Sequence, residues 1–226
     1  MQTRETAAVI VPRALDLGSG PAPAAGYVGV DLCPADEGHE VVIADLMSGE
    51  PWPFESGSVE RLRAHHVIEH IPHGRVETGA RIKTRRVVRS PGRWPVTHIG
   101  SMPVMQDTFF WFFDEAWRVA APGCRFELAW PHPQSDGADQ DPTHQRRIPS
   151  STLHYLSRAG RRALRVHQYP VGCDWQIVPG SVLELATDAE LARFQNPDGS
   201  FDIARAKREH GVFHEIVATL YKPEVA

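Results

Sequence analysis

The stretch Leu15–Leu32, LDLGSGPAPAAGYVGVDL, decides the expected fold because two short apolar runs flank a glycine turn. The runs LDL and YVGVDL are typical of strands buried in a parallel sheet. Gly18 and Gly20 let the backbone turn tightly and come close to a ligand, and Asp31 ends the second run. A carboxylate at this strand end can accept hydrogen bonds from the two vicinal hydroxyls of a ribose. The stretch therefore predicts the start of a nucleotide-cofactor domain.

The connection between these two runs is too short for an ordinary helix. Only eight residues, Pro21 to Val28, separate Gly20 from Gly29. The prolines at Pro21 and Pro23 also disfavour a regular helix. We therefore expect the first helix to be missing or reduced to one turn. A dinucleotide fingerprint is disfavoured as well, since proline occupies the position of its third glycine and no helix has room to follow.

Length and composition narrow the function classes. A chain of 226 residues suits one large domain, and its 42% hydrophobic and 23% charged residues are ordinary for a globular protein. The net charge of −4 does not favour nucleic acid or an anionic membrane as the partner. Three widely spaced cysteines predict no disulfide framework, and no stretch approaches the roughly 20 apolar residues of a membrane span. We expect a cytoplasmic protein with a small-molecule substrate; the oligomeric state stays open.

Further along the chain, apolar runs alternate with turn signals and helical patterns. This order predicts an α/β fold with a mainly parallel sheet and an antiparallel C-terminal strand. We expect a single domain over residues 1–226, with a basic insertion at about 74–101 and a lid-like loop at about 132–149. The insertion holds seven basic residues against the single acid Glu77, and we predict mostly loop there with a short helix. Such a patch can steer an anionic substrate.

The order of five segments adds a family resemblance that covers roughly residues 13–131. The segments LDLGSG, GVDL, ADL, PFESGSVERLRAHHVIEHI and EAWRVAAPGCRFEL resemble class I S-adenosylmethionine (SAM)-dependent methyltransferases, which have a Rossmann-like fold. The later segment SDGADQDPTHQRRIPSSTLHYL is similar to a subgroup of small bacterial and phage methyltransferases, which tolerates a shortened first helix. The resemblance implies SAM as the cofactor. The cofactor-binding residues it implies are Asp16, Leu17, Gly18, Ser19, Gly20, Asp31, Leu32, Asp45, Leu46 and His66.

Methyl transfer is an in-line displacement, so the protein mainly has to position the acceptor and exclude water. An alcohol or ammonium acceptor also needs a base, and histidine has a suitable pKa. The candidate catalytic residues are His66, His70 and His144. The candidate substrate-binding residues are Glu69, Asp141, Arg146 and Tyr155. This interpretation requires no metal.

Three alternatives stay open at the level of sequence. The segment HVIEH, residues 66–70, also matches the inverted zinc-peptidase signature His-x-x-Glu-His, which would make the chain a zinc hydrolase. The shortened first helix would also suit a methyltransferase-like binding protein without catalysis. SAM chemistry other than intermolecular methylation, such as cyclisation of the aminobutyrate arm, is a further possibility. The sequence does not indicate the acceptor or its methylated atom.

Overall fold

The computed structural model describes residues 12–88 and 96–224, except for the side chains of residues 78–88, 96–100 and 102. The strands in these ranges are β1 (Ala14–Leu17), β2 (Val28–Asp31), β3 (Val41–Ile43), β4 (Val59–His65), β5 (Arg75–Val88), β6 (Val96–Asp107), β7 (Ala120–Pro131), β8 (Gln176–Ile177), β9 (Leu183–Leu185) and β10 (Glu215–Tyr221). The α-helices are α1 (Thr108–Val119), α2 (Arg158–Ala163), α3 (Asp188–Leu191) and α4 (Ile203–Ala206). Short 3-10 helices cover Ile68–His70, Asp136–Ala138, Ser150–Leu156 and Ala192–Phe194.

Eight strands form one sheet in the order β3-β2-β1-β4-β7-β10-β8, with β9 also paired to β10. Strands β1 to β4 and β7 pair in parallel, while β10 runs antiparallel to β7. The expected α/β fold, mainly parallel with an antiparallel C-terminal strand, is confirmed. Strand order reverses between β1 and β4, so a crevice opens at the carboxyl ends of these strands.

Helix α1 covers one face of the sheet. It forms because apolar residues recur every three or four positions, and its start is capped by the Asp107 side chain, which accepts a hydrogen bond from the Phe109 N–H. Phe113 of this helix lies 5.9 Å from Phe126 of β7, measured between ring centroids. The indole N–H of Trp175 donates to the Phe113 carbonyl at 3.1 Å. These fully buried aromatic residues form the centre of the core.

The opposite face of the sheet is polar. Asp16 of β1 is paired in register with Arg63 of β4, which is paired with Glu127 of β7. The Asp16 carboxylate is 2% exposed and accepts hydrogen bonds from Arg63 Nη1 at 2.8 and 2.9 Å. Arg61 and Glu127 are exposed on this face. The sheet is therefore packed with apolar residues on one side and held by ion pairs on the other.

The connection between β1 and β2 contains turns and no helix over residues 18–27, as predicted. Asp16 fixes this connection, because its carboxylate also accepts a hydrogen bond from the Ala24 N–H at 2.9 Å. The segment between β2 and β3, residues 32–40, likewise has no helix. The two connections that precede the switch point are thus short loops.

The expectation of a mostly looped insertion at 74–101 was wrong for its described residues, because β5 and β6 pair as an antiparallel two-stranded sheet of their own; residues 89–95 lie outside the described part of the chain. The segment is rich in β-branched residues, which favour strands, and the interpretation gave too much weight to its charge. The ends of the hairpin meet where the Thr108 N–H donates to the Gly74 carbonyl at 3.2 Å. The excursion therefore leaves the main body before β5 and returns directly into α1.

None of the described helices combines the length and the apolar character that a bilayer crossing requires; the longest, α1, has 12 residues.

Candidate functional site

A cavity of about 120 Å³ lies at the carboxyl ends of β1, β2 and β3. We call it the glycine-turn cavity; its lining comprises Gly18, Asp31, Leu32, Ala44, Asp45, Leu46, Met47 and Val67. The chain turns beside it through Gly18 and Gly20, whose φ angles of +65° and +63° favour glycine. Half of the predicted cofactor-binding residues therefore meet around one cavity.

Asp31 presents its carboxylate at the edge of this cavity. Its oxygens accept hydrogen bonds from the backbone N–H groups of Gly20 at 2.8 Å, Leu32 at 2.7 Å and Cys33 at 3.2 Å. Burial raises the pKa of Asp31, but these hydrogen bonds outweigh burial and hold the pKa below its ordinary value. The group is ionised at neutral pH, and a carboxylate has about four acceptor positions. It therefore keeps the capacity to accept hydrogen bonds from a bound diol.

The other wall of the cavity is formed after β3. The Asp45 carboxylate accepts a hydrogen bond from the Met47 N–H at 2.8 Å. The Leu46 carbonyl accepts one from the indole N–H of Trp52 at 3.3 Å, and Leu46 is only 5% exposed. These bonds fix the loop that faces Asp31 across the cavity.

The remaining residues predicted around the glycine turn support the turn from beneath. Asp16 is engaged by Arg63 and by the connector, and Leu17 is fully buried in the core. The Ser19 hydroxyl donates to the Gly20 carbonyl at 2.8 Å. At Gly18, an added Cβ would overlap Cγ2 of Val67, so only glycine fits where β1 meets the turn after β4.

A second cavity of about 290 Å³ lies beside the turn that follows β4. We call it the histidine cavity; its lining comprises His66, His70, Pro131, Gly137, Gln140, Asp141, His144 and His214. The consecutive residues His66 and Val67 each line one of the two cavities, so both cavities lie beside the turn that follows β4. The three predicted catalytic histidines are brought together in the histidine cavity.

His66 has a strained backbone and lies between two carboxylates. Its φ angle is +54°, which is rare for a residue with a side chain and is typical of functional sites. Its Nδ1 lies 3.3 Å from Oε1 of Glu69, and its Nε2 lies 2.9 Å from Oε1 of Glu215. The Glu69 carboxylate raises the pKa of His66 more than burial lowers it, and Glu215 adds to the effect. The sequence interpretation missed Glu215.

Glu69 is the most deeply buried acid of the site, with 2% of its surface exposed. Within the part of the chain that the structure describes, neither of its carboxylate oxygens has a hydrogen-bond partner. Its backbone carbonyl accepts from the N–H groups of Gln145 and Arg146 at 2.8 and 3.0 Å. These bonds dock the 132–149 segment onto the turn that carries the buried carboxylate.

The rings of His70 and His144 make an edge-to-face contact at the histidine cavity, with centroids 4.7 Å apart. Nδ1 of His70 lies 3.0 Å from the Thr143 hydroxyl, and Nδ1 of His144 lies 3.2 Å from the Ala138 carbonyl. The Thr143 hydroxyl and N–H donate to Asp141 at 2.7 and 2.8 Å, which lowers the pKa of that carboxyl. Both rings are thus oriented by partners from the 132–149 segment.

The other two predicted substrate residues line a separate cavity of about 450 Å³, beside Phe109 and Phe110. Here the Arg146 guanidinium donates to the carbonyls of Ile71 and Pro72, both at 2.8 Å, and to Asp107 at 2.9 Å. It ties the start of α1 to the turn after β4 and is already engaged. Tyr155 lines the same cavity. Of the predicted substrate residues, Asp141 therefore lines the histidine cavity, Arg146 and Tyr155 line this separate one, and Glu69 is buried without lining either.

The zinc-peptidase motif does not form the geometry that its signature implies. His66 follows the last residue of β4, and His70 lies in a single 3-10 turn, so the two histidines do not share the face of a helix. The residue that lies against His70 is His144, from a distant segment.

No family model matches the chain, and no curated protein matches it. Among solved structures, a SAM-dependent methyltransferase from Archaeoglobus fulgidus is 15% identical, with 93% of this chain and 86% of that chain covered and a TM-score of 0.49. The YcgJ protein from Bacillus subtilis is 15% identical, with 94% and 92% covered and a TM-score of 0.48. The [4+2]-cyclase SpnF is 14% identical, with 94% and 76% covered and a TM-score of 0.50.

At such identities a likeness concerns the fold alone. The sheet order, the antiparallel last strand and the match at a TM-score of 0.50 agree with the resemblance noted in the sequence. The chain has a Rossmann-like α/β fold, with a mainly parallel sheet whose C-terminal strand β10 runs antiparallel.

Proposed function

We propose that the protein is a SAM-dependent methyltransferase that acts on a small-molecule acceptor. The observation that carries the proposal is the position of the Asp31 carboxylate, at the end of β2 and at the edge of the glycine-turn cavity. In a sheet of this topology, ligands bind outside the carboxyl ends of the strands at the point where strand order reverses. Asp31 stands at this edge, and His66, which lines the histidine cavity, immediately precedes Val67, which lines the glycine-turn cavity.

The residues around the glycine-turn cavity fit the cofactor. Asp31 is ionised and accepts only, which suits the two hydroxyls of a ribose. Gly18 and Gly20 leave the turn free of side chains where a nucleoside would cross it, and Asp45 and Leu46 would border its base. When bound, SAM supplies a methyl group already activated by a positively charged sulfur.

The histidine cavity supports an acceptor that donates hydrogen bonds. The carboxylates of Glu69, Asp141 and Glu215 all lie within 4 Å of His66 or His144. Negative charge at this density favours an amine or a hydroxyl over an anion. A histidine of this cavity would take the proton that such an acceptor loses. An anionic acceptor steered by the basic hairpin stays a prediction from the sequence.

We also propose that the chain is one methyltransferase-like domain from which the β5–β6 hairpin protrudes, with the 132–149 segment as the cover of the histidine cavity. The docking of that segment on the Glu69 carbonyl supports the second point. Three free cysteines agree with a cytoplasmic location.

The fold does not determine the reaction, since SpnF is a [4+2]-cyclase and aligns with 94% of this chain. A binding protein without catalysis and SAM chemistry of another kind are therefore outcomes that the experiment has to separate. Product analysis by mass distinguishes a methylated acceptor from a rearranged cofactor.

The test is calorimetric titration with S-adenosylhomocysteine. The wild-type chain and Asp36→Asn, a neutralised exposed acid in the segment after β2, are expected to bind equally. Asp31→Ala is expected to lose binding while its thermal unfolding stays cooperative. Absence of binding by the well-folded wild type, or equal binding by Asp31→Ala, would overturn the proposal. Binding without turnover across amine and hydroxyl acceptors would favour the non-catalytic alternative.

A further inference from the structure

Glu69, His70 and His144 form a compact cluster at the histidine cavity, which His70 and His144 line. One possible ligand atom from each residue can be chosen so that all three lie within 4.8 Å of one another. The carboxylate of Glu69 is 2% exposed, and neither oxygen has a hydrogen-bond partner among the described residues. A buried ionised carboxylate is costly unless a positive charge or hydrogen-bond donors compensate it. The carboxylate therefore needs a compensating positive charge, which either the neighbouring His66 ring, 3.3 Å from Oε1, or a bound cation can supply.

The hydrogen bonds of His70 fix which ring nitrogen carries its proton. The Thr143 hydroxyl has one hydrogen, which it donates to Asp141 at 2.7 Å. Its contact of 3.0 Å with Nδ1 of His70 must then be one in which the ring donates. In the neutral ring this leaves Nε2 without a proton, as an acceptor or a metal ligand.

The same reasoning applies to His144. Its Nδ1 lies 3.2 Å from the Ala138 carbonyl, which can only accept. Its Nε2 is therefore unprotonated in the neutral ring and lies 4.0 Å from Oε1 of Glu69. Nε2 of His144 and the Glu69 carboxylate thus lie close to each other without a hydrogen bond between them, and a ring nitrogen of His70 lies within 4.8 Å of both. Metal-binding histidines almost always donate their second ring N–H to a carbonyl, a carboxylate or water. Here the His144 ring donates to the Ala138 carbonyl, and the His70 ring donates to the Thr143 hydroxyl.

We propose that Glu69, His70 and His144 bind a divalent transition metal ion, with Zn²⁺ as the best fit. Two imidazole nitrogens and one carboxylate are a ligand set that Zn²⁺ accepts, with bonds of about 2.0–2.2 Å. Ligand atoms of a tetrahedral site lie about 3.4 Å apart, so the ion would draw the cluster inward by about 1 Å. Asp141, whose Oδ2 lies 3.9 Å from Nε2 of His144, adds negative charge beside the ion.

Three protein ligands leave one position of a four-coordinate ion for water or another molecule. On the proposed function, this position is where a hydroxyl or thiol of the acceptor would bind. Binding of the metal by the chain does not depend on that step, nor on SAM.

A protonated His66 is the competing source of positive charge. Its Nδ1 lies 3.3 Å from Oε1 of Glu69, on a ring whose Nε2 contacts Glu215. If the imidazolium alone neutralises Glu69, the cluster has no use for a metal ion. The two arrangements differ in a measurable quantity, the amount of zinc that the folded chain holds.

The protein is treated with a chelator, freed of the chelator and titrated with ZnCl₂ by calorimetry. Elemental analysis then measures the zinc content of the titrated protein. One zinc ion per chain is expected. Glu69→Gln and His144→Ala are expected to weaken binding by about 100-fold or more. His214→Ala is the matched control, because His214 lines the same cavity but is bonded to Glu190 at 2.6 Å, and it is expected to bind as the wild type does.

Two further variants separate this proposal from others. Thr143→Val removes the group that orients His70, and a loss of about 10-fold to 100-fold is expected. Asp31→Ala is expected to keep zinc binding even if it loses S-adenosylhomocysteine, so failure of the cofactor proposal leaves this one standing. Thermal unfolding checks that each variant is folded. Absence of stoichiometric zinc, or equal binding by folded Glu69→Gln and the wild type, would overturn the metal site.

Discussion

Replacing Gly18 by alanine tests how the glycine turn is built. Gly18 has φ +65°, and an added Cβ would overlap Cγ2 of Val67 and lie 3.1 Å from its Cγ1. Gly20 has nearly the same φ, +63°, but an added Cβ there meets no atom within 4 Å. The two glycines thus share the backbone strain and differ in the steric contact.

The magnitudes follow from these two terms. A left-handed conformation costs a residue with a side chain about 1–2 kcal/mol, which is the whole expected effect of Gly20→Ala. Forcing Val67, which is 4% exposed, out of its place adds about 1–3 kcal/mol at Gly18. We therefore expect Gly18→Ala to lower the free energy of unfolding by about 2–5 kcal/mol.

Urea unfolding followed by circular dichroism measures both variants. The decisive step is to repeat Gly18→Ala in a Val67→Ala background, where both Cγ contacts are gone and the added Cβ meets Cβ of residue 67 at 3.3 Å. The cost of Gly18→Ala should then fall to about that of Gly20→Ala. The difference from its cost in the wild-type background is the coupling energy between the two residues, and it should lie within the range of about 0.5–3 kcal/mol that residues in contact show. Equal losses for the two glycine variants, or effects of Gly18 and Val67 that simply add, would refute the close approach of the turn to the strand end.

Three other outcomes follow from the described contacts. Folding lowers the pKa of Asp31, so its ionised form stabilises the folded chain above the unfolded pKa of about 3.9. This contribution is lost as the pH falls through the folded pKa. The melting temperature should therefore fall less steeply in acid for Asp31→Asn than for the wild type. Arg63→Ala leaves the buried Asp16 carboxylate without its ion pair and should cost about 3 kcal/mol in urea unfolding, against less than about 1 kcal/mol for the exposed neighbour Arg61→Ala. Burial raises the pKa of Cys124 to about 12, so this thiol should resist a thiol-specific disulfide reagent at mildly alkaline pH until the chain unfolds. Rapid labelling of Cys124 in the native protein would contradict the packing described.

The first half of the sheet could be predicted because its signals are local. Each of the first strands is an apolar run that ends in a turn, and Asp31 marks the end of β2. The missing helix could be predicted from chain length and two prolines alone. The sequence places its nearest helix-stopping pair at Pro122-Gly123, yet α1 ends at Val119. Ala120 is paired with Val59 of β4, so strand pairing overrides the helical preference of alanine.

The rest depended on contacts between distant segments. His66 and Glu215 are 149 positions apart, and only the pairing of β10 with β7 brings them together. His70 was assigned to a pattern with His66, whereas its ring lies against that of His144. No spacing rule within the sequence carries this information, because register between strands is set by packing.

The polar face of the sheet has a consequence for how this chain tolerates mutation. Along the parallel strands β4 and β7, charged residues alternate with buried apolar ones, a pattern usual for sheets with one wet side. Exchanging the exposed Glu127 for another hydrophilic residue should be nearly neutral, while its sequence neighbours Phe126 and Leu128 admit little change. Relatives of this chain are thus expected to vary quickly at the exposed positions of the sheet and slowly at the buried ones, and to keep the residues that line the glycine-turn cavity if the proposed function is right.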